Sequence, residues 1–437
     1  MAAETFGGAT VIIDLGLTRG EPDEYARPVR STVPNWFAPM VIAIAVLLSS
    51  AASAAPPPPA LSPVLSLQVG PADPYTLTDD GDLLAQTFGT LSSYNLDDGT
   101  LQWQAGTPSP TYRLRTGSGL VLLRPWSGTR GDPGTTAISL TSGAAQWRRS
   151  GSVVTIAGST TLLAVSGVRS MAGSGRRVQG PVDAIDPASG VTRWQVQVAS
   201  TAVLLGVPGP TGPRMLLVHD DRTAAVHDLA TGARLTSAAL PPADYGPDNP
   251  TVAGGLLLLR HPTPTGRMVS AYDPVTLARR WTRPAGFAFG VAPCGRLACL
   301  TGPDGVRAID PTSGVQRWFN AGWRSVEQHG AMLLAFGTPA GDSDPVGVID
   351  PATGRVITDL GGWRVVSGSG GGDHLLVTRI VESGARTIVA VAAPGDVRLE
   401  MLADLPAGTG DCQSVPGRLA CRSSSGDLVV WAYQRKA

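Results

Sequence analysis

From residue 61 onward the chain is a long series of short apolar runs cut by turn residues. Gly119-Leu120-Val121-Leu122-Leu123 and Gly255-Leu256-Leu257-Leu258-Leu259 are examples, each preceded by a second short run, Tyr112–Arg115 and Thr251–Ala253. Runs of this length, bounded by Gly, Pro, Asp and Asn, read as strands in hairpins rather than as helices. Downstream of each hairpin lies a second one with a recurring cassette. It holds small or apolar residues, an Asp or Asn, often a Pro, a Thr or Ser, then Gly, with Trp four residues after the Gly. The copies are Tyr94 to Trp103 around Gly99, Ile138 to Trp147 around Gly143, Ala184 to Trp194 around Gly190, and Ala308 to Trp318 around Gly314. In Ala271 to Trp281 the Gly is replaced by Leu277. Degenerate copies keep the turn and lose the Trp: Asp228 with Gly232, Asp350 with Gly354, and Pro394-Gly395.

The tryptophan-equivalent positions recur at intervals of roughly 37 to 47 residues, the spacing of a four-stranded propeller blade. Asp starts a tight turn by accepting backbone N–H groups, Gly closes it with positive φ, and the Trp offers a flat face to bury against the next repeat. The expected fold is therefore all-β: a β-propeller of eight or nine four-stranded antiparallel blades over 62–437. The last copy, from Gly417 to Tyr433, stops one strand short, and Leu61 to Val69 is a spare strand at the other end, available to complete it.

Residues 36–55, WFAPMVIAIAVLLSSAASAA, are twenty residues without a charge, long enough for a membrane span. Arg27 and Arg30 precede them and no charge follows until Asp73, so the positive-inside bias places 1–35 in the cytoplasm and the remainder outside. A disordered tail over 1–35, a signal anchor over 36–55, a Pro-rich spacer over 56–61 and an extracytoplasmic propeller make up the expected plan. The alternative is a cleaved signal peptide ending near Ala52-Ser53-Ala54, against which the long leader argues. No Gly-x-x-x-Gly marks the span, so helix pairing has no sequence signal. Within the tail, Thr10–Leu17 is a β-prone patch able to add a strand to a partner.

Composition narrows the function. Lys+Arg and Asp+Glu are both 34, which argues against a nucleic-acid partner. The four cysteines all lie beyond the span: Cys294 with Cys299, and Cys412 with Cys421. Both second cysteines end the pentapeptide Gly-Arg-Leu-Ala-Cys, three periods apart, so both pairs occupy one structural position in two blades. Of the three possible connectivities, repeat equivalence favours the two local disulfides, bridging the strands of the first hairpin; a four-thiolate zinc site is the rival. The histidines His219, His227, His261, His329 and His374 lack metal-ligand spacing, although His219 and His227 flank one hairpin and are candidates to face each other. Asp79-Asp80-Gly81-Asp82 reads as a turn before a weak Ca²⁺ loop, and Ser367–Gly372 as a flexible loop without the ending of a phosphate cradle.

The pattern Ala-x-Asp-x-x-Ser/Thr-Gly-x-x-x-Trp at Ala184–Trp194 and Ala308–Trp318 resembles the tryptophan-docking repeat of PQQ-like, quinoprotein-type β-propellers. The arrangement of tail, span and propeller is similar to membrane-anchored propellers of actinobacteria and, distantly, to the propeller subunit of the outer-membrane assembly machinery, a scaffold. The resemblance implies structural blade docking by Trp103, Trp147, Trp194, Trp281 and Trp318 with Gly99, Gly143, Gly190, Gly314 and Gly354. It also implies PQQ and Ca²⁺ in the enzymatic members, which use an Asp base and adjacent cysteines. No Cys-Cys pair occurs here. The expectation is a non-catalytic envelope scaffold or sensor with a protein partner, no cofactor and no metal; a PQQ- and Ca-dependent oxidoreductase is the alternative.

Overall fold

The computed structural model describes residues 36, 39–42, 60–107, 111–125, 134–156, 158–170, 175–241, 250–337, 344–368, 374–381 and 386–434. The expected span over 36–55 and the Thr10–Leu17 patch thus fall almost wholly outside the described residues. Among those described, no helix is long and apolar enough to cross a membrane.

Pro59–Ala437 forms one compact unit. Its strands make nine four-stranded antiparallel blades, seven of them as separate sheets built in chain order: 75–106, 111–149, 251–284, 290–320, 323–359, 364–405, and the closing blade. In chain order these are blades 1, 2, 5, 6, 7, 8 and 9. Blades 3 and 4 are fused into one seven-stranded sheet, which the repeat did not lead us to expect. A single strand, Thr192–Val207, is the outer strand of blade 3 and the inner strand of blade 4. The cause is visible in the sequence. Every other blade-to-blade connection contains Gly or Pro, whereas 195–205 contains neither, so nothing interrupts the strand. The preceding strand, Arg176–Ile185, is correspondingly long, and its first residues pair with blade 4: Arg176 lies opposite Leu204 and Gln179 opposite Thr201.

The ring closes through blade 9. Leu61–Gln68 pairs antiparallel with Asp427–Tyr433, from Leu61 opposite Tyr433 to Gln68 opposite Asp427, and so completes the sheet begun at Thr409. This strand begins at Leu61, one residue before the expected boundary at 62. Blade 9 then grips blade 1. Arg418 donates to Leu96 O (3.1 Å) and to Asp97 (2.9 Å), and Arg422 donates to Gly70 O (2.6 Å) and Asp73 O (2.7 Å). The Arg422 guanidinium also lies 5.0 Å from the centre of the Tyr75 ring, and the Tyr75 hydroxyl donates to Asp411 O.

The core lies between blades. Nine apolar clusters each draw side chains from two neighbouring blades. Leu61, Leu376, Leu419 and Tyr433 join blades 8 and 9, and Tyr75, Leu83, Leu428 and Val430 join blades 9 and 1. Burial of each leucine is worth about 1.5–3 kcal/mol, so a blade is stable chiefly through its neighbours. Two faces result. One, the turn face, carries the first hairpin turns and the cassette turns, as Leu96 N donating to Gly81 O shows in blade 1. The other, the connection face, carries the second-to-third strand loops and the links between blades, as Thr107 N donating to Gly89 O shows. Leu61 starts its strand at the turn face, beside the end of the strand Asp427–Tyr433.

Candidate functional site

Five of the cassette turns are carboxylate-centred cups. Asp186 Oδ1 accepts from Ala188 N and Ser189 N, both at 3.0 Å, while its carbonyl accepts from Gly190 N at 2.8 Å. Asp228, Asp273, Asp310 and Asp350 repeat the arrangement. Three of the five also hold an arginine seven residues on: Arg193 on Asp186, Arg280 on Asp273 (2.7 Å) and Arg317 on Asp310 (2.7 Å). That arginine was overlooked in the sequence, though Asp-x6-Arg-Trp is readable in all three copies.

The tryptophan after it reaches the next blade. Trp103 Nε1 donates to Leu140 O (2.8 Å), Trp147 to Pro187 O (2.7 Å), Trp194 to Leu229 O (3.1 Å), Trp281 to Pro311 O (2.7 Å) and Trp318 to Pro351 O (2.9 Å). In every case the acceptor follows the first residue of the neighbour's cassette turn. The ring covers the turn glycine so closely that a Cβ has no room: at Gly354 it would stand 2.6 Å from Trp318 Cδ2, and at Gly190 2.7 Å from Trp147 Cγ. Gly143 meets Trp103 the same way, Gly232 meets Trp194, and Gly314 meets Trp281 at 2.9 Å. Gly99 differs, because its neighbour is the closing strand: a Cβ there would stand 2.8 Å from Val64 O.

Two departures from the cassette, in neighbouring blades, compensate each other. Blade 4 has Thr236 where a tryptophan is due, and blade 5 has Leu277 where the glycine is due. With no ring above it, the side chain of Leu277 packs into the cluster between blades 4 and 5, although φ is +56°. On the same side of blade 5 an open groove of about 570 Å³ is lined by His261, Thr263, Met268, Arg279, Trp281 and Thr282. His261 continues the Leu257, Leu259 alternation, and its Nε2 lies 2.8 Å from Ser270 Oγ, which in turn is 2.7 Å from Thr282 Oγ1.

Hydrogen bonds from arginine, hydroxyl and backbone N–H groups hold Asp186, Asp273 and Asp310 down to about 2. Their folded values lie below the ordinary carboxylate value of about 4, so their contribution is present above pH 4 and is lost as pH falls from 4 through 2. Acid titration of the melting temperature is expected to fall most steeply below about pH 4. Replacing all three by Asn should flatten that fall; an unchanged acid profile would refute the assignment.

The cysteines form Cys294–Cys299 and Cys412–Cys421, with Cα atoms 5.5 and 4.1 Å apart. Each bridges the first and second strands of its blade, Gly290–Cys294 with Leu297–Gly302 and Thr409–Val415 with Arg418–Ser423. The enclosed loops are short, so each bond is expected to contribute roughly 2–3 kcal/mol. Substituting both cysteines of one pair with alanine should lower the melting temperature by several degrees, and no shift would contradict this.

The histidines are scattered. His227 pairs with Met215 and His219 with Ala202, so the two do not face each other as the hairpin had suggested; they sit four pairs apart along it. Burial lowers the pKa of His219. His374 Nε2 lies 2.7 Å from Tyr433 Oη. Among the described residues no three His, Cys, Asp or Glu side chains come together as metal ligands. Asp80-Gly81 forms the first turn of blade 1, and of the run Ser367–Gly372 only Ser367 and Gly368 are described, Ser367 bridging to Gln413 of blade 9. The resemblance implies, for a PQQ site, carboxylate and amide oxygens around Ca²⁺ and commonly a pair of adjacent cysteines. The four cysteines here are consumed in separate cross-strand bonds and no cluster of three or more His, Cys, Asp or Glu occurs among the described residues, so the residues present do not fit that group.

The sequence matches the PQQ-like family described as outer membrane protein assembly factor BamB over residues 65–203 and 178–322, more than half of the chain. The chain belongs to this family. Comparison with curated proteins finds no match. Among solved structures, the chain is similar to BamB from Moraxella catarrhalis, at 15% identity and a TM-score of 0.40, covering 85% of this chain and 100% of that one. It is also similar to the C-terminal WD40 domain of Sif2, at 8% identity and a TM-score of 0.43, covering 86% and 99%. Neither similarity bears on activity or partner. In this chain the Trp-over-glycine contact is repeated at five of the nine junctions.

Proposed function

We propose that this protein is a non-catalytic scaffold or ligand sensor of a bacterial envelope. An uncleaved anchor over 36–55 holds it in the cell membrane, with 1–35 in the cytoplasm and the propeller outside. The observation that carries the reading is the closed ring, in which apolar clusters cross every junction and Trp or Arg groups lock most of them. A closed ring presents two rigid faces of loops, a suitable platform for recognition of a protein. The family description, an assembly factor of the outer membrane, supports a protein-interaction role. Two disulfides agree with an oxidising compartment.

In-cell cross-linking and capture of the full-length protein, beside a version lacking 1–30, tests this. Both are expected to recover the same envelope protein. Loss of that protein from the truncated version would move the function to the tail, and recovery of nothing specific by either would contradict the scaffold.

A further inference from the structure

Five phenylalanines lie among the described residues, and four of them are exposed on or near the connection face. Phe88 stands alone in a blade 1 turn. Phe287 and Phe289 stand together in the link from blade 5 to blade 6, 74% and 56% exposed. Their exposure is built rather than accidental. Between and before them, Ala285 and Ala288 are buried in the cluster joining the two blades. Arg260 Nη1 donates to Ala288 O at 2.6 Å and Arg307 Nη2 to Ala285 O at 3.0 Å. Phe289 N donates to Thr301 O and Ala285 N to Arg267 O, both at 2.8 Å. The link is therefore pinned at both ends, and the two rings project from it with little freedom to turn inward.

We infer that Phe287 and Phe289 form a docking site for an acidic, apolar-bearing peptide segment of an exported protein. This rests on the scaffold reading and names the chemistry of its partner. Two exposed aromatic rings on a rigid backbone are the kind of anchor that dominates protein interfaces. Two guanidinium groups are bonded into the link itself, Arg260 on Ala288 O and Arg307 on Ala285 O, and the carboxylate of Asp304 lies in the neighbouring turn. A partner with carboxylates is steered there and a basic one repelled. A bilayer carries anionic and apolar groups too, and the vesicle arm of the titration distinguishes it from a peptide.

The test is a binding titration of the full-length protein with a short labelled peptide alternating Glu or Asp with Leu and Phe, beside its Lys counterpart and beside phosphatidylcholine–phosphatidylglycerol vesicles. The acidic peptide is expected to bind, more weakly in high salt, and F287S/F289S to weaken it about tenfold or more, while F88S leaves it unchanged. Absence of acidic-peptide binding, equal binding of the Lys peptide, indifference to F287S/F289S, or vesicle binding lost in that variant would each overturn the inference. Cellular capture separates the two readings. If F287S/F289S recovers the same partner as the native chain, this docking site is wrong and the scaffold stands. Recovery of no partner by either chain sinks the scaffold reading, and the docking site then stands or falls on the titration.

Discussion

Deleting Leu61–Gln68 is expected to destabilise the propeller by at least about 4 kcal/mol and to abolish a single cooperative unfolding transition. The strand carries the outer edge of blade 9, and with it go the pairing to Asp427–Tyr433 and the burial of Leu61 beside Leu419 and Tyr433. Leu65 and Leu67 also leave the cluster that joins blade 9 to blade 1, and Gly99 loses the backbone it packs against. Because each blade depends on its neighbours, damage at one junction opens the ring. Adding a peptide of residues 60–69 in trans should restore part of the lost melting temperature. A truncated propeller that melts as the native one does would show that the strand closes nothing. Urea unfolding of the two forms, with and without peptide, makes the measurement.

The second large effect is at a docking tryptophan. Trp318→Ala should cost about 3–5 kcal/mol, since it empties a buried ring site and removes the donor to Pro351 O. Gly354→Ala should cost about 2 kcal/mol or more by itself, for two reasons: φ is +68°, and a Cβ would collide with the Trp318 ring. The pair should be strongly non-additive, because without the ring the alanine has space and only the backbone strain remains. Additive losses in a double-mutant cycle would mean that ring and glycine do not touch. Leu277 beneath Thr236 is the natural form of the double change: where the ring is missing, a side chain is tolerated at the turn position.

The phase of the repeat was legible because its chemistry is local. An Asp cup, a positive-φ Gly and a following Trp can be read within eleven residues, and the missing strand after Tyr433 pointed to Leu61 as its complement. The fusion of blades 3 and 4 was less legible, since its cause is an absence, the lack of Gly or Pro between Gln195 and Leu205. The arginine clamps on Asp186, Asp273 and Asp310 are legible as Asp-x6-Arg-Trp in three copies, but a surface arginine has many possible partners and the spacing alone does not name one. The exposed Phe287 and Phe289 were not legible, because in sequence Phe-Ala-Phe reads as another half-buried strand. Only the burial of Ala285 and Ala288, fixed by contacts from Arg260 and Arg307 in other strands, turns the rings outward.

Nine blades closed by a strand from the chain's other end are what every interface described above depends on. Images of the purified propeller viewed down its axis test this most directly. Nine density maxima about 40° apart are expected, with one interruption fewer where blades 3 and 4 share a strand. Eight maxima about 45° apart, or an open arc with a free edge at blade 9, would contradict it.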